Sequence, residues 1–421
     1  MPTMMPSERT VILGGGFTGL FTALRLNRRR YPHPVVLVDR SERFSFKPLL
    51  YELLSGEMDA YQVWPRFEEL LRGSRITFIQ DSVRTVDLEG RWVELESGLS
   101  YAYKNLVIAL GGALGGAGPD NRDAFFLRTG EETLKLRQHL RNCLQQATQL
   151  GEPEERKRLL TVAVVGGGPA GIELAATLAD WLPASFTRLG GDGREVRVAL
   201  LQRGMQLLPQ DMSLHLRKTA VDALARRTVP VEVILGASVK KVEPDGVHYE
   251  RDSSAQLIPA AAVVWTGGGG GGGMAMPFKL QGLPPQGYNK HGRLLVTPTW
   301  QLPNFPEVFA GGDLALDPDH PQPTTAQAAY QEGEGIAYNL EALAFGRQTS
   351  VAPVRSLGTM MKLGLGEGAV EIFDRYEVAG RLGLLIRQLR YLGLLPTPIY
   401  SFKATAYWLT DLLWPRSGMA A

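Results

Sequence analysis

An α/β protein of two Rossmann-like βαβ units, one inserted in the other, is the fold this chain predicts. Two glycine motifs carry most of that prediction: Gly14-Gly15-Gly16-Phe17-Thr18-Gly19 and Gly166-Gly167-Gly168-Pro169-Ala170-Gly171. Each follows an apolar β-branched run, at 10–13 and 162–165, and precedes a helix-like stretch. In that setting GxGxxG is the turn that lays a dinucleotide pyrophosphate on a helix N-terminus. Two copies in one chain point to two dinucleotides, a flavin and a nicotinamide.

The spacing has a steric and electrostatic logic. Gly14 and Gly166 allow the tight turn, Gly16 and Gly168 let the backbone touch phosphate oxygens, and Gly19 and Gly171 let the helix close on the strand. Phe17, Thr18, Pro169 and Ala170 lie between them and belong to the same two cofactor sites. An acidic side chain about 20 residues further on meets a ribose hydroxyl. Asp39 stands there, at the end of a strand over 35–38 and next to Arg40. In the second unit the corresponding position reads Gln202, followed by Arg203. Losing the acid and gaining a cation favours NADPH, or tolerates it beside NADH.

Composition narrows the function. The 421 residues, 44% of them hydrophobic, suffice for two domains and an appendage. A formal net charge of +2 gives no electrostatic case for nucleic acid. Cys143 is the one cysteine, so the chain cannot form an internal disulfide; disulfide reductases and sulfide-oxidising flavoproteins, which work through paired cysteines, are excluded. Six histidines without metal spacing give no metal site. Residues 1–9 have no apolar core, so neither a signal peptide nor a transit peptide is expected.

Along the chain, a helix over 20–27 follows the first motif, and strands are expected at 76–80, 91–95 and 106–109. A charged helical connector covers 131–158. The second unit has its helix over 172–182, a strand over 197–201 and a last strand over 261–265. Strands at 294–296 and 308–310 then close the first unit before Gly312 and Asp313. The resulting domains are 1–120 with 290–345 for the flavin, 155–289 for the nicotinamide, and 350–421 as a C-terminal region.

On a helical wheel over 381–392, Leu382, Leu385, Ile386, Leu389 and Leu392 share one side, and Arg387 and Arg390 the other. A second segment at 399–414 is rich in aromatics. No charge-free run reaches the ~18 residues of a spanning helix. An in-plane amphipathic anchor on a membrane surface, its arginines facing lipid phosphates, is the expectation.

Three further strings occur in order: Phe44-Ser45-Phe46-Lys47-Pro48-Leu49-Leu50-Tyr51-Glu52, Val308-Phe309-Ala310-Gly311-Gly312-Asp313, and Pro323-Thr324-Thr325-Ala326-Gln327-Ala328-Ala329-Tyr330-Gln331-Glu332. With the two glycine motifs, they make the chain resemble the type II NAD(P)H:quinone oxidoreductases, closest to their cyanobacterial and chloroplast branch, on a pyridine nucleotide-disulfide oxidoreductase-like architecture. The resemblance implies a non-covalent FAD, NADPH or NADH as donor and a membrane prenylquinone as acceptor. It also implies no proton pumping, a monotopic habit on the cytoplasmic or stromal side of a thylakoid or plasma membrane, and a homodimer in some relatives.

It further implies roles. Asp313 accepts from a flavin ribityl hydroxyl. Thr324 or Thr325 caps a helix starting near Ala326, whose positive end faces the flavin N1 and C2 carbonyl. Gln327 and Gln331, four apart on one face, line the quinone site. Lys47 and Pro48 lie near the flavin, and Glu173 near the nicotinamide and flavin. The chain departs from the pattern at seven glycines over 267–273 and in the glycine-rich stretch 111–118. A reductase of an iron–sulfur carrier and a non-enzymatic flavin redox sensor stand as rivals.

Overall fold

The computed structural model describes residues 8–112, 121–210, 212–267, 276, 278–356, 358–372 and 376–396. The aromatic segment 399–414 and most of both glycine-rich stretches lie outside them.

Six strands build the first sheet in the order Gln301–Leu302, Phe305–Ala310, Asn105–Ile108, Thr10–Leu13, Val35–Asp39, Ile76–Gln80. All pair in parallel except the edge strand Gln301–Leu302. Thr10–Leu13 and Asn105–Ile108 are buried along their whole length, as strands covered on both faces must be. Between Asn105–Ile108 and Phe305–Ala310 the chain builds a second, wholly parallel sheet. Its order is Glu232–Leu235, Arg197–Gln202, Thr161–Val165, Ala262–Trp265, Phe125–Phe126. In chain order, the strands of the second sheet therefore fall between two strands of the first.

Three local expectations change. The strand Phe125–Phe126 joins the second sheet although it precedes 155. The connector breaks into helices Gly130–Gln149 and Pro153–Leu159, because Pro153 lacks the N–H to continue a helix and starts one instead. Leu294–Leu295 stays out of the six-stranded sheet and pairs with Ala315–Leu316.

The largest difference is in the C-terminal region. An antiparallel sheet of Gly358–Lys362, Gly368–Ile372 and Tyr376–Ala379 precedes the helix Gly380–Gly393. The helix lies tightly on this sheet: a Cβ on Gly383 would fall 2.5 Å from the carbonyl oxygens of Gly368 and Val378. The wheel separates the two faces, and it is the arginine side whose environment differs from the expectation. Arg387 is 0% exposed, whereas Leu382 and Leu389 are 57% and 52% exposed. Leu392, assigned to the outer side, is buried. Arg387 therefore cannot face lipid phosphates. Among the described residues, no helix is long and apolar enough to cross a membrane.

Candidate active site

At the first glycine motif, the three glycines are required for three different reasons. Gly14 has φ +99°, and a Cβ there would meet the Ala109 carbonyl oxygen at 2.3 Å. A Cβ on Gly19 would fall 1.9 Å from the Gly14 oxygen, so helix Phe17–Arg28 closes on the strand only with glycine. Gly16 has nothing within 4 Å of its would-be Cβ. The helix begins at this open space with no side-chain cap, so its first N–H groups are available to an anion.

Beside that space, Thr18 Oγ1 is buried without a hydrogen-bond partner. A buried hydroxyl left unpaired costs about 1–3 kcal/mol, which a phosphate oxygen would remove. The turn Gly312–Leu314, carrying half-buried Asp313, closes on the same threonine: Gly312 has φ +75°, and a Cβ on it would lie 3.1 Å from Thr18 Oγ1. Donor set, open cradle and orphaned hydroxyl all fit a dinucleotide pyrophosphate.

The second motif repeats this geometry. Gly166 has φ +117°, a Cβ on Gly171 would fall 1.8 Å from the Gly166 oxygen, and Gly168 again faces open space. Helix Pro169–Arg188 starts uncapped, with Pro169 and Ala170 exposed.

The strand ends differ in charge, as read from the sequence. Asp39 Oδ2 accepts the Gly15 N–H at 2.6 Å and Oδ1 accepts the Ser41 N–H at 2.7 Å. Burial raises its carboxyl above the ordinary range; these amide bonds and neighbouring Arg40 oppose the rise. Gln202 takes the same place in the second unit: its Oε1 accepts the Gly167 N–H at 3.0 Å. Arg203 beside it is exposed.

Two further segments converge on the first motif. The Phe46 and Phe44 rings pack 5.1 and 5.4 Å from the Phe17 ring, which anchors the segment leading into Lys47 and Pro48 on helix Phe17–Arg28. Helix Ala326–Ala344 is capped by Thr325, whose Oγ1 accepts the Ala328 N–H at 3.2 Å. A Cβ on Gly333 would fall 2.6 Å from the Thr18 carbonyl oxygen, and Thr22 Oγ1 donates to the Gly333 oxygen at 3.1 Å. The N-terminus at Ala326 is thereby held at a fixed place relative to Thr18. Glu332 on this helix accepts the Gly312 N–H at 2.5 Å, and burial pushes its carboxyl up.

Gln327 and Gln331 share a face, and both turn to a residue the sequence reading did not single out. Their Nε2 groups donate to the Arg355 carbonyl at 3.3 and 2.9 Å, and Gln331 Oε1 accepts the Arg355 N–H at 3.0 Å. The pair clamps the chain that leads to the C-terminal sheet.

Glu173, in the second turn of helix Pro169–Arg188, points into a buried cluster. Its Oε1 accepts the Lys362 backbone N–H at 2.7 Å and lies 3.5 Å from Arg387 Nη2. Burial pushes its carboxyl up to about 7, against the opposing Arg387 charge, the Lys362 amide and the Tyr51 hydroxyl. Arg387 also binds Glu52 at 2.5 Å, and that pairing holds the Glu52 carboxyl below the usual range despite its burial. Glu52, Lys362 and Arg387 were not read as site residues; the one local signal was an arginine opposite a leucine stripe.

Comparison with known proteins follows the same lines. The family described as "Pyridine nucleotide-disulphide oxidoreductase" matches residues 8–333. The chain is 34% identical over 415 residues to the demethylphylloquinone reductase NdbB of Synechocystis, covering 96% of both chains. It is 33% identical to the alternative NAD(P)H-ubiquinone oxidoreductase C1 of Arabidopsis thaliana, covering 95% of this chain and 80% of that one. In fold it is similar to the NDH2 of Plasmodium falciparum in complex with NADH, with a TM-score of 0.82, 19% identity and coverage of 97% and 99%.

Proposed function

We infer the activity of this chain from the family to which it belongs, the type II NAD(P)H:quinone oxidoreductases within the pyridine nucleotide-disulphide oxidoreductases. It is an oxidoreductase that takes a hydride from NAD(P)H and delivers two electrons to a quinone. A prenylated quinone of the demethylphylloquinone or plastoquinone class is the acceptor, by analogy with the Synechocystis relative. The observation that carries the reading is the repeated open cradle, at Gly16 with the orphaned Thr18 hydroxyl and at Gly168.

FAD, non-covalently bound, supplies the two-electron chemistry between nicotinamide and quinone. The protein's own residues then have these tasks. Gly16, Phe17 and Thr18 hold its pyrophosphate, and Asp39 offers a carboxylate to the adenosine ribose. Gly312 and Asp313 serve the ribityl chain. Lys47, Pro48 and the helix N-terminus at Thr325 and Ala326 border the ring, where a helix dipole stabilises negative charge. Gly168, Pro169 and Ala170 hold the second pyrophosphate, and Gln202 with Arg203 admits a 2′-phosphate, so NADPH is the preferred donor. Gln327 and Gln331 line the quinone approach.

Attachment is to a membrane surface through the exposed Leu382, Leu385 and Leu389, which gives a lipid-soluble quinone a short path. The test is the acceptor profile of the purified flavin-loaded protein with NADPH, using decyl-plastoquinone and a demethylated naphthoquinone. Reduction of either is expected. Flavin bound without reduction of any quinone removes the reading.

A further inference from the structure

Beneath Glu173, the C-terminal region places two wholly enclosed cations. Strand Gly358–Lys362 ends on Lys362, helix Gly380–Gly393 carries Arg387, and both side chains are 0% exposed. A guanidinium cannot shed its proton, so its burial is tolerated only where acceptors meet it.

Arg387 finds those acceptors on two other parts of the chain. Nη1 donates to Glu52 Oε1 at 2.5 Å, Nη2 donates to the Pro48 carbonyl at 2.7 Å, and Nη2 lies 3.5 Å from Glu173 Oε1. Lys362 gives its backbone N–H to the same Glu173 oxygen, pairs its ammonium with Glu57, and lies 3.6 Å from Glu52. Reaching Glu173 as well joins the turn Lys47–Leu49 to the N-terminal part of helix Pro169–Arg188.

We propose that Arg387 is a positioning residue for the reaction: it holds the Glu173 carboxyl and the Pro48 carbonyl in one bonded unit, so that the C-terminal helix completes the centre between the two nucleotide units. The proposal rests on the reading that Glu173 borders the reacting rings. Among the described residues, the charged or titratable groups around it are Tyr51 and Glu52 from helix Leu50–Ser55, Glu57 just after it, Lys362 from the sheet, and Arg387 and Tyr391 from the last helix. Of these, the Arg387 charge is the strongest influence holding the Glu173 carboxyl down. Removing it sends that carboxyl further up.

The experiment uses the full-length, flavin-loaded protein as Arg387→Met, Arg387→Lys and Glu173→Gln. An infrared pH titration follows the protonated carboxyl band that Glu173→Gln abolishes. In Arg387→Met its midpoint is expected to rise by about one pH unit or more, and in Arg387→Lys to return most of the way. The pH profile of quinone reduction should shift in the same direction, and Arg387→Met added to Glu173→Gln should shift it no further. Thermal unfolding and flavin retention establish that each variant is folded. Should Arg387→Met fail to fold, Arg387→Lys decides: it keeps the charge and loses the fork, so kcat should fall while the midpoint stays near that of the unaltered protein.

An unmoved midpoint in folded Arg387→Met, unaltered kcat in Arg387→Lys, or an additive shift in the double variant would overturn the proposal. The infrared arm needs no turnover. A moving midpoint in a protein that reduces no quinone therefore faults the activity reading and leaves the contact between Arg387 and Glu173 intact.

Discussion

Asp39 and Gln202 occupy equivalent places in the two βαβ units, each accepting the N–H of the residue that follows its motif's first glycine, Asp39 from Gly15 at 2.6 Å and Gln202 from Gly167 at 3.0 Å. One polar contact is kept in both units, and only the charge at the strand end differs. That charge is what a 2′-phosphate meets.

Coenzyme choice should follow it. Gln202→Glu places an anion where NADPH carries its extra phosphate, so the ratio of kcat/KM for NADPH over NADH should fall about tenfold or more. Arg203→Ala should lower kcat/KM with NADPH and leave that with NADH nearly unaltered. Steady-state kinetics with both coenzymes decide it; equal loss with both would show that these two positions do not select.

The two ends of one glycine motif should fail in different ways. Gly19→Ala drives a methyl against the Gly14 carbonyl and should destabilise the fold outright. Gly16→Ala points into open space, so the apoprotein should unfold at nearly its usual temperature while flavin is lost. Thermal unfolding with and without added FAD separates them. The same melting point for both apoproteins would contradict the assignment of Gly16 to the phosphate.

Thr18→Val removes a hydroxyl that has no protein partner. Stability of the apoprotein should hold or rise, because no hydrogen bond is broken. Flavin affinity should fall about 2- to 30-fold, for a lost bond of about 0.5–2 kcal/mol. Fluorescence titration of the apoprotein with FAD measures it, and unaltered affinity would place the hydroxyl outside the cofactor site.

Stability should carry the signature of Glu173. Its carboxyl, pushed up to about 7 by burial, keeps its proton in the folded chain at pH values where the unfolded chain has lost it. The contribution is therefore full below the ordinary carboxylate range and is lost as pH rises to and through about 7. Glu173→Gln cannot ionise, so its stability relative to the unaltered protein should improve from about pH 5 to about pH 7 and level off above that. Urea unfolding across that window checks the slope; a constant difference would mean that Glu173 does not titrate there.

Much of this was legible in the sequence because the signals are local. Each glycine motif states its own steric needs, and Asp39 and Gln202 are found by counting along one βαβ unit. Thr325 follows from capping, and Gln327 with Gln331 from a single helix turn. The Glu52, Glu173, Lys362 and Arg387 cluster draws on four separate segments, so no window of sequence contains it. A helical wheel divides leucines from Arg387 but cannot say which side is buried, because the acceptors that make a buried guanidinium affordable come from Pro48, Glu52 and Glu173. The C-terminal sheet escaped for a related reason. Its short strands, such as Gly358–Lys362, carry glycines and find their stability by packing Met361 and Ala369 into the core of the second unit.

The exposed leucine side of this helix leads to the last prediction. With Arg387 inward, Leu382, Leu385 and Leu389 form an outward apolar stripe flanked by exposed Arg381 and half-buried Arg390. Leucines at that exposure contribute nothing to the core, so replacing them should cost the fold little. Transferring them into the boundary of a bilayer would gain about 1 kcal/mol or more each, and the basic flanks favour anionic headgroups. The triple variant Leu382→Ser, Leu385→Ser, Leu389→Ser should therefore bind anionic vesicles about 100-fold more weakly while keeping its melting temperature and its turnover with a water-soluble quinone. Vesicle co-sedimentation of the full-length protein measures the first and a soluble assay the second. Undiminished binding by the triple variant would remove this helix as the attachment face, and loss of soluble turnover would mean that the stripe supports the Arg387 side of the helix instead of a membrane.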